Sequence, residues 1–592
     1  MSEEFLAING IDAETGEYLT SGILDEDIAA IALDEKWAPS EEHLEELEHR
    51  ADKGDHFGVI EGVRAEEIAE AGWGVIFPFS ENPDVGRTAK LRQALRPLLE
   101  HRRAQTPHYR EIMGEKGYRS TLSKRTFLSQ FHVGAGPVKP SEMPYYLMLV
   151  GTPEEISFEF QYQLDVQYAV GRLDLDNPDD PEDVSAYENY AATVVAAENG
   201  GLPRSRQAAF FATENHKDKP TRLSAENLVE PLVGVLTQEY SDWEIPVYRG
   251  ESATKERLGA LIAGDGDPSL LFTASHGVGF RTSGHRRQRN HGGALVCQEW
   301  PGPGNSMPPN CFFSVDDVGE DFRPGGLIAF HFACYGAGTP QFDEFPQKEK
   351  NEELKGRQLA PKAFTARLPQ SLLGHRNGGA LAVVGHVEKA YPCSFAWPGA
   401  QSQINAFEST MKALMNGKPV GYALESFNLR YAELAASLAD LVMDKLDGKR
   451  VRARELANAW TYHTDARNYA ILGDPAVRLD LRAPEEGSGA GQKQAPVLEL
   501  SIASQAQTQS QTQTQTQTQT QTQTTREDGT VIISTWVTDD PAKPEGAVLK
   551  MRSILHPDGN IDNYVAEGED VGRVHGEALR EALQAAQEVS HE

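Results

Sequence analysis

Two apolar segments, Leu270-Leu271-Phe272-Thr273-Ala274-Ser275-His276-Gly277 and Leu327-Ile328-Ala329-Phe330-His331-Phe332-Ala333-Cys334-Tyr335-Gly336, each run into a reactive side chain and then a glycine. Short apolar runs that stop at glycine read as buried strands leaving a sheet. The pattern therefore delivers a histidine and a cysteine to two strand exits, 58 positions apart. That combination suits nucleophilic chemistry. A thiol needs a neighbouring base or cation to attack near neutral pH, and an imidazole can take the thiol proton and return it to a leaving amine. His276 is expected as acid/base and Cys334 as nucleophile. The N–H groups of Gly277 and Cys334 are the candidates to hold the oxyanion, with Gly277 leaving the backbone free to approach a substrate. This chemistry needs no third residue. His386, after the following apolar run, is the reserve base. Singly, a strand cysteine is commonly an inert core residue and a lone histidine a hydrogen-bonded structural one. Their joint placement at strand exits, where open parallel sheets carry function, favours the dyad.

The elements around the dyad alternate. Strands are expected at Trp73 to Phe77 and Tyr145 to Val150, with helices at Ala89 to His101 and Val184 to Glu198. A second unit starts with the strand Gln207 to Ala212. It continues through a helix from Ser224 to Gln238, a strand at Ile245 to Tyr248, a helix at Ala253 to Ala263 and the two reactive strands. A helix at Ala363 to His375, a strand at Ala380 to Val384, and helical segments over Gln401 to Met415 and Gly421 to Leu446 complete it. Helices alternating with short apolar strands imply an α/β fold, parallel sheets with helices on both faces. The domain reading is an acidic extension over 1–55 with a helix from Ser40 to Ala51, a first α/β subdomain over 56–200 and a catalytic α/β subdomain over 201–482. Residues 483–526, dominated by the Gln-Thr alternation from Gln507 to Thr524, read as a flexible tether, because they offer no apolar face to offset ordering entropy. Residues 527–592 read as a small α+β docking module, with strands at Thr530 to Val537 and Val548 to Leu555 and a last helix marked by Leu579, Leu583 and Ala586.

At 592 residues and a formal charge of −32, the chain has length for several cores and argues against a general nucleic-acid or anionic-membrane binder. No apolar run reaches the roughly 18 residues of a membrane span, and the start Met1-Ser2-Glu3-Glu4-Phe5-Leu6 lacks a secretory pattern. A cytoplasmic location is the expectation. Four cysteines, Cys297, Cys311, Cys334 and Cys393, are too few for a disulfide scaffold and fit no zinc spacing. No metal or cofactor is expected.

Residues 70 to 482 resemble the gingipain-like cysteine peptidases, within the wider group of caspases and CHAT-domain proteases. The resemblance rests on Tyr146-Leu147-Met148-Leu149-Val150-Gly151, Leu164-Asp165-Val166-Gln167-Tyr168-Ala169-Val170-Gly171-Arg172-Leu173, the His276-Gly277 and Ala333-Cys334 exits, and Leu472-Gly473-Asp474-Pro475-Ala476-Val477-Arg478-Leu479, in that order. It implies a cysteine endopeptidase with His276 and Cys334 as its dyad. Without a signal sequence, and with an unrelated C-terminal module, the expectation shifts to a regulated enzyme cutting few protein partners in signalling or defence.

Family members often hold a basic side chain in an acidic pocket, which makes Asp165 and Glu388 the candidates here. The reading of each as a solvated or ion-paired carboxylate is equally open. Tyr391 and Trp397 are candidate apolar pocket walls. Arg286, Arg287 and Arg289, in the glycine-flanked segment from Gly284 to Gly293, are candidate self-cleavage positions, against the alternative of a basic surface loop. The competing reading of the chain is a catalytically silent caspase-like binding or scaffold protein acting on a protein partner through its C-terminal module.

Overall fold

The computed structural model describes residues 10–19, 25–33, 58–178, 180–345, 357–396 and 403–482, together with the backbone of four strands between residues 518 and 565. Two compact units divide the chain, Met1–Ala490 and Gly491–Glu592.

The strands of the first unit, in chain order, are β1 (Gly10–Asp12), β2 (Trp73–Ile76), β3 (Tyr109–Ile112), β4 (Tyr146–Val150), β5 (Ala169–Leu173), β6 (Ser205–Ala212), β7 (Val247–Arg249) and β8 (Pro268–Ala274). They continue with β9 (Gly277–Gly279), β10 (Leu295–Val296), β11 (Phe312–Phe313), β12 (Ile328–Phe332), β13 (Gly338–Thr339), β14 (Phe364–Thr365), β15 (Ala382–His386) and β16 (Tyr469–Gly473). Ten of them form one sheet in the order β3-β2-β4-β5-β16-β15-β12-β8-β6-β7. β16 pairs parallel with β5 and antiparallel with β15, so the sheet has two internally parallel halves pointing in opposite directions. β15, β12, β8 and β6 consequently send their C-terminal ends to one rim.

Strands covered on both faces need apolar residues at every position, and β4, β8 and β12 are buried throughout. On one face Phe272, Phe330 and Tyr469 meet Phe407 and Phe427 from the helices Asn405–Met415 and Glu425–Leu446. Each such burial contributes about 1.5–3 kcal/mol before entropy is counted. Asp474, just past β16, ties the end of that strand to β2 and to the helix Arg96–Gln105. Its carboxylate accepts from Trp73 Nε1 at 2.9 Å and from the buried Arg102 at 2.8 Å.

The expected α/β architecture is present, with differences that have local causes. The single helix expected over Ala89 to His101 is two, Gly86–Ala94 and Arg96–Gln105, because Pro97 suits a first turn and not an interior. Phe364 and Thr365 pair with β13, which delays the next helix to Arg367–Leu373. β3 carries charge because it lies at the sheet edge, half-exposed, where an apolar pattern is not required. Residues 10–19 form part of a second sheet, β1-β9-β10-β11. The helix read over 40–51 lies outside the described residues.

In the second unit β17 (Thr518–Thr525), β18 (Val531–Thr538), β19 (Val548–Leu555) and β20 (Ile561–Val565) form an antiparallel meander. This corrects the reading of the Gln-Thr tract as tether throughout. Its last seven residues, with Thr525 after them, pair with β18, and strict alternation of a β-branched residue is itself a strand pattern. The helix marked by Leu579, Leu583 and Ala586 lies outside the described residues.

Candidate active site

Ala274 of β8 pairs with Phe332 of β12, and Ser275 N–H extends the ladder to Phe332 O at 3.2 Å. His276 and Cys334 therefore leave adjacent parallel strands at the same level, two residues past this last pair. Both are fully buried. A Cβ on Gly277 would fall 1.8 Å from Cys334 O and 2.9 Å from Cys334 N. The glycine thus serves a close approach, but the backbone it meets is that of Cys334, not a substrate. After the cysteine the chain turns through Tyr335 at φ 59°, a left-handed conformation rare for a bulky residue. Tyr335 N–H then donates to Glu388 O at 2.6 Å.

His276 has a partner that the sequence reading did not include. Its Nε2 lies 2.8 Å from Oδ2 of Asp218, which also accepts from Thr221 N at 3.1 Å and Thr221 Oγ1 at 2.5 Å. The other oxygen accepts from Tyr18 OH at 2.6 Å. Burial opposes the charge on Asp218, but the imidazole and the bonds from His276, Thr221 and Tyr18 outweigh it and hold the carboxyl at about 2. A carboxylate at Nε2 fixes the proton there and leaves Nδ1 with its lone pair, and buried Nδ1 has no hydrogen-bond partner among the described residues. Trp300 stands edge-on to the imidazole at 5.5 Å between centroids. The Cys334 thiol accepts from Ala390 N–H at 3.1 Å, and burial pushes it up to about 12. Burial thus favours the protonated thiol, which rests against Ala390.

Asp218 had a legible signal. β6 neighbours β8, and its exit Thr213-Glu214-Asn215-His216-Lys217-Asp218 leads to the N-cap of the helix Lys219–Ser224 on the same rim. The strand-exit argument applied to His276 and Cys334 extends to this loop.

His386 ends β15 in register with Tyr469. Its Nε2 lies 3.0 Å from Asp465 O and 3.5 Å from the Asp465 carboxylate, and its ring is edge-on to Tyr469 at 4.7 Å. The pocket candidates diverge. Glu388 is fully buried; its carboxylate takes Lys389 Nζ at 2.8 Å and Glu344 N–H at 3.2 Å, and Lys389 also pairs with Asp343. It is an internal ion-pair member and not an open acidic pocket. Asp165 closes the helix Phe158–Asp165, half-buried, with its carboxyl pushed up by burial. Tyr391 packs on Phe345 at 5.4 Å and is 2 % exposed, a core contact and not a pocket wall. Trp397 lies outside the described residues. Of the basic segment, read as a loop, only part is one: Arg286 is exposed in a turn, Arg287 caps the short helix Gln288–His291 and lies over Phe280, and Arg289 is within that helix and lies over Phe364.

No family model matches this chain, and no curated protein matches it in sequence. Among solved structures it is similar to the Arg-specific cysteine proteinase gingipain R, at 11% identity and TM-score 0.36, covering 86% of this chain and 100% of that one. It is also similar to the complex of RgpB pro- and mature domains from Porphyromonas gingivalis, at 11% identity and TM-score 0.34, covering 84% and 100%.

Proposed function

We propose that this chain is a cysteine endopeptidase in which Cys334 attacks, His276 moves the proton and Asp218 orients His276. The observation that carries the reading is the unpartnered Nδ1 of His276, backed by an ionised carboxylate, at the rim where Cys334 also exits. The thiol turns from Ala390 and gives its proton to Nδ1. The thiolate forms the S–C bond to the peptide carbonyl, whose oxygen takes the negative charge beside the Gly277 and Cys334 N–H groups. Collapse breaks the C–N bond as Nδ1–H protonates the leaving amine. Water, deprotonated by the same nitrogen, then splits the thioester and restores thiol and imidazole. Sequence resemblance extends the proposal to regulated cleavage of few protein partners in signalling or defence. Cleavage after Arg or Lys has no support from Glu388 and rests on Asp165.

Labelling with a peptide-based thiol-reactive probe, in a Gly16→Val chain whose N-terminal hairpin beside Cys334 is loosened, followed by mapping, tests this reading. A single adduct on Cys334 that disappears in Cys334→Ala is expected; adducts only on other cysteines would overturn it. The burial of both dyad residues is what favours the silent-scaffold alternative. On that reading, deletion of 527–592 abolishes partner binding and no cysteine-dependent cleavage is detectable.

A further inference from the structure

The N-terminal hairpin touches every member of the constellation. β1 pairs parallel with β9, Gly10 opposite Gly277, Ile11 opposite Val278 and Asp12 opposite Gly279. The chain reverses through Thr15 and Gly16 and returns so that Tyr18 bridges Ile11. Tyr18 OH is on Asp218, and its ring lies 6.0 Å from that of His276. A Cβ on Gly10 would stand 2.8 Å from the Cys334 sulfur. A scissile carbonyl must come within about 3–3.5 Å of that sulfur along an open approach. The Gly10 backbone occupies the approach on that side.

We propose that residues 10–19 are an autoinhibitory cover, displaced before a substrate reaches Cys334. The attachment is suited to release. Ile11 and Ala13 bury in a small cluster with Val278, Val296 and Trp300 that is separate from the main core, and of the hairpin's buried apolar side chains only Leu19 joins that core. Besides the β1–β9 ladder and the Tyr18–Asp218 bond, its polar attachments are Ala13 N to Gly279 O at 3.0 Å, Arg281 Nη2 to Tyr18 O at 2.7 Å, Arg281 N to Asp12 at 3.2 Å, Gly304 N to Gly16 O at 3.2 Å, and Thr282 Oγ1 and His285 Nε2 to the exposed Glu14 carboxylate at 3.2 and 3.3 Å. The hairpin tip is a precise place to weaken it, because Gly16 has φ +69° and a Cβ there would fall 1.7 Å from Asn305 O. This inference deepens the peptidase reading and takes its biological sense from it.

The test is iodoacetamide alkylation of the full chain with mass-spectrometric mapping of all four cysteines, comparing wild type with Gly16→Val and Ile11→Ala. Cys334 should react at least about tenfold faster in both variants, while Cys297 and Cys393 stay as protected as in wild type. A synthetic peptide spanning residues 8–21 should slow Cys334 again. Unchanged reactivity of Cys334 would overturn the proposal, and so would simultaneous reaction of all four cysteines, which would make the hairpin an inseparable part of the fold. Faster alkylation without hydrolysis of any peptide would leave the cover in place and remove the peptidase reading.

Discussion

Cys334 lies between two His–Asp pairs. On the β8 side His276 meets Asp218, and on the β15 side His386 meets Asp465, near which Cys393 is also buried. Both histidines are fully buried and in both Nδ1 has no hydrogen-bond partner among the described residues, so pairing and burial alone do not distinguish the proposed site from a structural one. Depth and surroundings do. By strand register His386 stands level with Phe332, one inward-facing step below Cys334, while His276 stands level with Cys334. Asp465 spends its carboxylate on Tyr391 N–H at 3.0 Å and Ser394 OH at 2.6 Å, tying a loop to the helix Ala453–Arg467. Asp218 instead spends its carboxylate on the imidazole, its own helix cap and the hairpin. One set is closed by the core, the other by a separable segment.

The largest expected difference is between the two cysteines. Cys334→Ala should reduce peptide cleavage by at least about 10³-fold, and Cys393→Ala should leave it within about twofold while lowering stability by about 1–2 kcal/mol. Assays in the intact chain and in Gly16→Val separate chemistry from access. Equal losses in the two variants would merge the sites. The two aspartates should diverge next: Asp218→Asn should cost roughly 10²–10⁴-fold in kcat by disturbing the tautomer of His276. Asp465→Asn should register in the thermal midpoint instead, with kcat nearly unchanged.

Asp218 also sets an acid limb. Its carboxyl is held at about 2 in the folded chain; against about 3.9 unfolded, it adds roughly 2 kcal/mol of stability above about pH 4, which disappears as pH falls from about 4 to about 2. Unfolding free energies across that window should flatten in Asp218→Asn, and an unchanged slope would mean that the carboxylate is not selectively stabilised. The smallest effect concerns specificity. Glu388 is already neutralised by Lys389, so Glu388→Gln should change the preference between Arg and neutral residues before the cut by less than about threefold, read by profiling a peptide library. A larger shift would return Glu388 to the substrate pocket.

Much of this was legible in the sequence because buried parallel strands announce themselves as continuous apolar runs. β4, β8 and β12 are examples, and their exits located His276 and Cys334. Asp218 was not reached because it belongs to a loop and a short helix, without apolar periodicity of its own. The hairpin escaped for a related reason: β1 has only three residues, and its partner strand β9 is Gly-Val-Gly, with no pattern to mark a pairing across more than 260 positions. Glu388 misled because a carboxylate beside a reactive strand looks the same in sequence whether it faces a substrate or the adjacent Lys389.

The central claim is that the β8 side, and not the β15 side, supplies the base. Its most direct test is the rate of peptide hydrolysis by His276→Ala and His386→Ala in the Gly16→Val background. A loss of at least about 10³-fold is expected in the first and retention within about threefold in the second, with circular dichroism confirming that both are folded. Full activity in His276→Ala with none in His386→Ala would contradict the central claim.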